Sequence, residues 1–180
     1  CEPRIFIPAA QKGASSYMFS LLMTHPQTLP PLRGAQYKEP GAYANAVYYR
    51  QPFSKRVSRF PFFWPNEGLV SLDGTVSYAT ESRLPAFRIA LDSPAAKFVF
   101  ALREPVDRSF SDYRFCYRPF FQDTDLSWDD AILQLIPLYD TCFNNKTSSI
   151  ETFYEANPCR RADRYGLVRK SLYYFQVAFF

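Results

Sequence analysis

Apolar positions along the chain fall into short runs, separated by small, polar or proline-rich stretches, and the first run comes at once. Arg4-Ile5-Phe6-Ile7-Pro8 predicts a short buried strand. Residues 11–16 form a loop of small residues, and Ser16-Tyr17-Met18-Phe19-Ser20-Leu21-Leu22-Met23 predicts a helix. His25-Pro26 ends it, because proline cannot continue a helix. Strand, small-residue loop and helix make the opening unit of an α/β nucleotide-binding fold. Residues 30–65 read as loop-rich. Leu69-Val70-Ser71-Leu72 predicts a second strand closed by Asp73-Gly74, and residues 97–102 are an apolar run suited to a central parallel strand. Pro105 suits the first turn of a helix reaching Tyr113. Ser127 ahead of Trp128-Asp129-Asp130 reads as an N-cap with acids in the first turn, opening a helix towards Leu138. Residues 166–179 predict a last, aromatic helix. No repeat or low-complexity linker divides the chain, so residues 1–180 are expected to form one domain.

Composition changes this picture in only a few places. Aromatic residues make up 18% of the chain, which excludes a disordered polypeptide. The net charge of +4 is too mild to indicate nucleic-acid binding but suits anionic ligands. No apolar run is long enough to cross a bilayer, and no signal peptide is visible. The four cysteines, at positions 1, 116, 142 and 159, form no close metal-ligand pair, so no zinc site is expected. Asn145-Lys146-Thr147 is a glycosylation sequon, and sequon and cysteines together point to a secretory compartment.

Two stretches carry candidate chemistry. Gln11-Lys12-Gly13-Ala14-Ser15-Ser16 lies at the strand-to-helix junction, where backbone N–H groups and the positive helix end converge on a point that suits a phosphate. Gly13 admits close approach of the backbone, Lys12 adds a charge, and the two hydroxyls add donors. The loop is not a Walker A motif, because the leading glycine is missing and the lysine precedes Gly13. The same residues also read as an ordinary helix start with an exposed lysine. The second stretch is Arg103-Glu104-Pro105-Val106-Asp107-Arg108-Ser109-Phe110-Ser111-Asp112-Tyr113. Arg103 stands at the carboxyl end of a predicted strand, where open α/β sheets place ligands. Ser111 follows two helical turns later, and an arginine fork with a hydroxyl suits a terminal phosphate.

These residues resemble the phosphate motifs of sulfotransferases that use 3′-phosphoadenosine 5′-phosphosulfate (PAPS). Lys12-Gly13-Ala14-Ser15-Ser16 is similar to the family's 5′-phosphosulfate loop. Arg103-Glu104-Pro105 with Arg108, Ser111 and Tyr113 is similar to its 3′-phosphate motif. Lys38-Glu39-Pro40 resembles the segment that supplies the catalytic glutamate in Golgi heparan and chondroitin sulfotransferases. Here Gly41-Ala42-Tyr43 follows it in place of the usual histidine and aromatics. Gly166-Leu167 with Leu172, Phe175 and Phe179 resembles a later helix of that group, with Val168 for a tyrosine and Phe175 for a tryptophan. Cys142 and Cys159, flanking Asn144-Asn145, resemble the N-acetylgalactosamine 4-sulfate 6-O-sulfotransferase branch.

The resemblance implies a P-loop-like parallel sheet flanked by helices and a sulfuryl transfer from PAPS to a glycan hydroxyl. Lys12 is then expected at the leaving oxygen, and Gly13, Ala14, Ser15 and Ser16 around the 5′-phosphate. Arg103 and Ser111 are expected on the 3′-phosphate and Glu39 as general base, with Asp73 its rival. No metal is expected, because the scheme needs none. His25, the lone histidine, reads as helix termination. The acceptor is expected to be anionic and of glycosaminoglycan type. Lys55, Arg56, Arg59, Arg160, Arg161 and Arg164 are candidate contacts, and Phe60, Phe62, Phe63 and Trp64 read as core or as stacking surface. A disulfide between Cys142 and Cys159, glycosylation at Asn145 and a Golgi-lumen location behind an N-terminal anchor outside this chain complete the expectation. Family members continue with another strand and a basic loop over the nucleotide, so the chain is expected to be a C-terminally shortened domain. An inactive glycan-binding relative is the main alternative. A P-loop kinase or NTPase is disfavoured by the absent Walker A glycines and metal-binding acids.

Overall fold

The computed structural model describes residues 2–32, 38–44, 46–80, 84–117, 126–144, 158–163, 166–178 and 180. The chain divides into two compact units, Cys1–Leu102 with Phe179–Phe180, and Arg103–Ala178. Each has its own organisation.

The first unit is an α/β layer around four parallel strands. These are β1 (Ile5–Phe6), β2 (Thr28–Leu29), β3 (Val70–Asp73) and β4 (Lys97–Phe98), in the order β2-β3-β1-β4. Ile5 pairs with Leu72 and with Lys97, so β1 is central and its register fixes both neighbours. Helix α1 (Ser15–Leu22) returns the chain from β1 towards β2, as the opening pattern predicts. Phe19 of α1 packs with Ile7 and Leu72. Phe6, Tyr43, Phe60, Tyr78 and Ile89 form a second core, in which Phe6 and Tyr43 meet edge to face at 5.7 Å. Short helices α2 (Ala46–Tyr49) and α3 (Phe53–Val57) break the loop-rich stretch, and α4 (Leu84–Asp92) buries Ile89.

The apolar run at 97–102 is not a central strand. Only Lys97–Phe98 pairs as strand, and β4 ends the sheet order beside β1. Its apolar character answers to ring packing. Phe98 stacks on Phe6 at 5.7 Å and meets Phe180 at 4.9 Å, while Phe100 meets Phe180 at 5.5 Å.

The second unit is helical among its described residues. It contains α5 (Pro105–Asp112), a π-helical turn (Tyr113–Tyr117), α6 (Trp128–Asn144), α7 (Pro158–Ala162) and α8 (Tyr173–Val177). Ser127 caps α6 as predicted, its Oγ accepting from the Asp130 N–H at 3.1 Å, but α6 runs past Leu138 with Pro137 inside it. The last predicted helix is broken. Residues 169–171 form a 3-10 turn, Leu172 leaves helical geometry, and only Tyr173–Val177 is α-helical. At the break the Gln176 side-chain amide donates to the Lys170 carbonyl at 2.9 Å and the Arg169 carbonyl at 3.4 Å, which a continuous helix would give to residues 174 and 173. Asp163 caps the turn before it, its carboxylate accepting from the backbone N–H groups of Leu167 (2.6 Å), Val168 (3.0 Å) and Arg169 (2.8 Å). It also accepts from the Tyr139 hydroxyl at 3.0 Å. Gly166 turns the chain into this cap at φ 74°. Cys142 and Cys159 are joined by a disulfide, with their Cα atoms 6.6 Å apart.

Candidate functional site

Strand β1 ends in a tight loop that enters α1. The Gly13 N–H donates to the Ala10 carbonyl at 2.9 Å, closing the turn. Lys12 and Ala14 both lie in the left-handed region, at φ 69° and 67°, which side chains adopt at a cost of about 1–2 kcal/mol each. A Cβ on Gly13 would stand 2.7 Å from the Ala101 carbonyl oxygen and 2.9 Å from that of Ala10. The position therefore requires glycine. Changes of backbone hand along a short loop turn N–H groups to one side and build anion-binding concavities. The N-cap of α1 is Ala14, and no side chain caps the helix. Ala14 itself has no polar side chain with which to cap the first N–H groups of the helix. Ser15 is buried in the first turn, Ser16 is exposed, and Lys12 is half-buried. Strain, an uncapped helix start and an obligatory glycine coincide in five residues.

The next strand over, β3, ends at Asp73-Gly74, and the Lys38–Glu39 segment is fastened there. Gly74 N–H donates to the Lys38 carbonyl at 2.8 Å, and Gly41 N–H donates to Thr75 Oγ1 at 3.0 Å. Arg59 donates to the Pro40 carbonyl. A Cβ on Gly74 would meet Lys38 Cγ at 2.7 Å and Phe19 Cδ2 at 2.9 Å, so Gly74 too is needed for close approach. Because β1 and β3 are parallel neighbours, the loop after β1 and the residues after β3 that hold the Glu39 segment follow the same, carboxyl edge of the sheet. Glu39 is half-exposed and its Oε1 pairs with Lys38 Nζ at 2.5 Å, a partner that the sequence places next door.

Asp73 does something else. It is fully buried and accepts three hydrogen bonds: Thr75 N–H at 3.0 Å, Thr75 Oγ1 at 2.6 Å and the Tyr78 hydroxyl at 2.7 Å. Tyr78 Oη in turn accepts from the Tyr43 N–H at 3.2 Å. Burial pushes the Asp73 carboxyl up to about 6 against these bonds, which pull it down. Burial likewise raises the Tyr43 and Tyr78 phenols. Asp73 therefore ties the end of β3, through Thr75, to the segment carrying Glu39. Sequence reasoning misses that role, since nothing local reveals that the carboxylate points inward.

In the second unit, Glu104 caps α5, its Oε2 accepting from the Asp107 N–H at 2.7 Å. Arg103, just before the cap, is exposed and lies 4.0 Å from Asp107. Ser111 is half-buried on the same i, i+4 row, two turns along. The Arg103 carbonyl accepts from the Tyr173 hydroxyl at 2.6 Å, and burial raises that phenol. Arg108 is buried and structural. Its guanidinium donates to Ser171 Oγ (2.7 Å), Asp112 Oδ2 (2.9 Å) and the Gly166 and Leu167 carbonyls. Lys170 Nζ joins the same Asp112 oxygen at 3.3 Å.

The remaining candidates separate. Arg56 is held by Asp92 and by the carbonyls of Tyr49 and Gln51, so it braces α3. His25 Nδ1 accepts from the Gln27 N–H at 3.2 Å in the turn after α1. Lys55 and Arg161 are exposed. Asn145 and Arg164 lie outside the described residues, as do the side chains of Arg160 and Phe175. No described helix is long and apolar enough to cross a membrane.

No family model matches the chain. Among solved structures it is similar to a sulfotransferase from Alicyclobacillus acidocaldarius, with 21% identity and a TM-score of 0.53. The match covers 98% of this chain and 70% of that one. A parallel sheet flanked by helices, opening on a strand, a strained loop and an uncapped helix, is thus the sulfotransferase fold.

Proposed function

We propose that the chain is a sulfotransferase moving a sulfuryl group from PAPS to a hydroxyl of an anionic, glycosaminoglycan-type glycan. The observation that carries this reading is the loop at 11–14. Its left-handed Lys12 and Ala14, and a Gly13 pressed on the Ala101 carbonyl, open an uncapped helix start. The fit to a 5′-phosphosulfate rests on those features. A helix start whose N-cap residue, Ala14, offers no side-chain cap, preceded in sequence by Lys12, suits a doubly anionic group.

In this scheme the acceptor oxygen bonds to sulfur as the bond from sulfur to the bridging phosphate oxygen breaks. Lys12 stabilises the negative charge that grows on that leaving oxygen, and adenosine 3′,5′-bisphosphate departs. Glu39 takes the acceptor's proton, using Oε2 while Oε1 stays with Lys38. In the second unit, Arg103 and Ser111 serve the 3′-phosphate. That assignment follows from their resemblance to the family motif and from the exposed guanidinium on the Ser111 row of α5. The disulfide supports an oxidising, secretory compartment such as the Golgi lumen.

The test is transfer of labelled sulfate from PAPS to a panel of glycans, with calorimetric binding of adenosine 3′,5′-bisphosphate and of ATP with magnesium. Transfer with bisphosphate binding is expected. Binding of ATP with magnesium and not of the bisphosphate would sink the proposal in favour of a kinase or NTPase.

A further inference from the structure

Residues 60–64 put two aromatic rings inside and two outside. Phe60 and Phe63 are 3% and 7% exposed and belong to the core, whereas Phe62 and Trp64 are 71% and 63% exposed. The outer two meet at 5.3 Å with their planes at 80°, forming an L-shaped apolar ledge. Large rings left in water cost free energy, and two in mutual contact offer an apolar face to a ligand.

The ledge is held rigidly. Trp64 N–H donates to Glu67 Oε2 at 2.7 Å, and Glu67 N–H donates back to the Trp64 carbonyl at 3.1 Å. Pro61 and Pro65 restrict the backbone on either side of the pair. At its other end the segment is fastened to the candidate acceptor chemistry. Arg59 donates to the carbonyl of Pro40, next to Glu39, and its own carbonyl accepts from the Leu32 N–H at 2.6 Å. Charge selects the occupant. Residues 40–67 contain four cations, Arg50, Lys55, Arg56 and Arg59, against one acid, Glu67, whose carboxylate is engaged by the Trp64 backbone N–H. Arg56 and Arg59 are engaged within the fold, and Arg50 and Lys55 are exposed.

We infer that Phe62 and Trp64 form a stacking ledge for a hexopyranose ring of an anionic glycan, with Arg50 and Lys55 drawing in its sulfate or carboxylate groups. A pyranose has one face of C–H bonds that packs on an aromatic ring, and hydroxyls around its rim that stay hydrated. An exposed, rigid aromatic pair in a cationic stretch matches both properties. The inference rests on the acceptor reading above for its choice of ligand and adds to it the surface that grips the chain.

The experiment titrates the full chain with a chondroitin sulfate hexasaccharide by calorimetry. In parallel, the indole N–H signals of Trp64 and Trp128, the two tryptophans, are followed by NMR. The Trp64 signal is expected to move and the Trp128 signal to stay. Phe62→Ala with Trp64→Ala should weaken the hexasaccharide by about tenfold or more, leaving adenosine 3′,5′-bisphosphate within about twofold. Trp64→Phe, which keeps an aromatic face, should retain most of the affinity. Equal binding by wild type and the double variant, or a neutral hexasaccharide binding as tightly as the sulfated one, overturns the inference. So does a wild-type chain that binds the bisphosphate but no glycan, a result that leaves sulfuryl transfer standing. Glycan binding lost in the double variant of a chain that never binds the bisphosphate upholds the ledge and removes the donor reading.

Discussion

Gly13 sits directly against the carbonyl of Ala101: a single added carbon would lie 2.7 Å from that oxygen. Both atoms it would meet belong to backbone, so neither can swing aside. Gly13→Ala is expected to destabilise the chain by about 1–3 kcal/mol, as overpacking does. It should also weaken adenosine 3′,5′-bisphosphate, because the loop must shift to make room. Urea unfolding and calorimetry on the same variant check both effects, and unchanged values would show that the loop gives freely.

Lys12→Ala is expected to lower kcat strongly while donor binding stays measurable, since the ammonium matters most where charge develops in the transition state. Glu39→Gln should cost about 10²–10⁴-fold in turnover with bisphosphate affinity nearly unchanged. A near-wild-type rate for Glu39→Gln removes Glu39 as base. Asp73 is then a poor replacement, because it is fully buried and accepts three hydrogen bonds.

For Arg103→Ala the comparison is between two nucleotides. Loss of a charge-assisted hydrogen bond costs roughly 1.5–3 kcal/mol, or about one to two decades in affinity. That loss should appear for adenosine 3′,5′-bisphosphate and not for adenosine 5′-phosphate. Equal losses would assign the Arg103 side chain to the fold, through its pairing with Asp107.

Asp73 gives the chain a pH dependence of definite sign. Its carboxyl rises from 3.8 to about 6 on folding, so the native state binds the proton more tightly than the unfolded chain. The stability this confers is complete below pH 3.8 and is lost as pH rises through about 6. Across that window the loss is on the order of 3 kcal/mol. Asp73→Asn, which cannot ionise, should flatten this part of the profile. Urea midpoints between pH 4 and pH 7.5, wild type against variant, measure the difference, and parallel profiles would contradict it.

Reduction, or Cys142→Ser with Cys159→Ser, should cost about 3 kcal/mol in the chain-entropy model for the 17-residue separation. Thermal unfolding with and without reductant reads this directly, and identical midpoints would mean that the bridge contributes nothing.

The opening of the fold is legible from the sequence because its signals are local. An apolar run, small residues and a helix-ending proline specify β1, the loop and α1 without help from distant contacts. The same holds for the Ser127 cap. What the sequence hides is non-local. β2 is two residues long and becomes a strand only because Val70 and Ser71 pair with it. The 97–102 run reads as central, yet its apolar side chains serve packing by Phe6 and Phe180 at opposite ends of the numbering. The predicted 166–179 helix breaks at Leu172, where the Gln176 side-chain amide takes the Arg169 and Lys170 carbonyls that a continuous helix would use, a competition invisible to periodicity. At the candidate site, the residue types of the Lys12 loop are readable. The strain at Lys12 and Ala14 and the inward turn of Asp73 emerge only from three-dimensional packing.

The disulfide and the Asp163 carboxylate join the same two stretches of chain. Cys142 and Tyr139 lie on α6, Cys159 lies on α7, and Asp163 directly follows α7. One link is covalent and the other is polar and buried, and together they fasten the end of α6 to α7. The register of α6 against α7 is thus set twice, once by a covalent bond and once by a buried carboxylate. Asp163 carries this fastening on to the turn at Gly166, because the same carboxylate that holds Tyr139 of α6 also caps residues 167–169. A chain cut anywhere between Cys142 and Cys159 would stay covalently one molecule until a reductant opened the bridge.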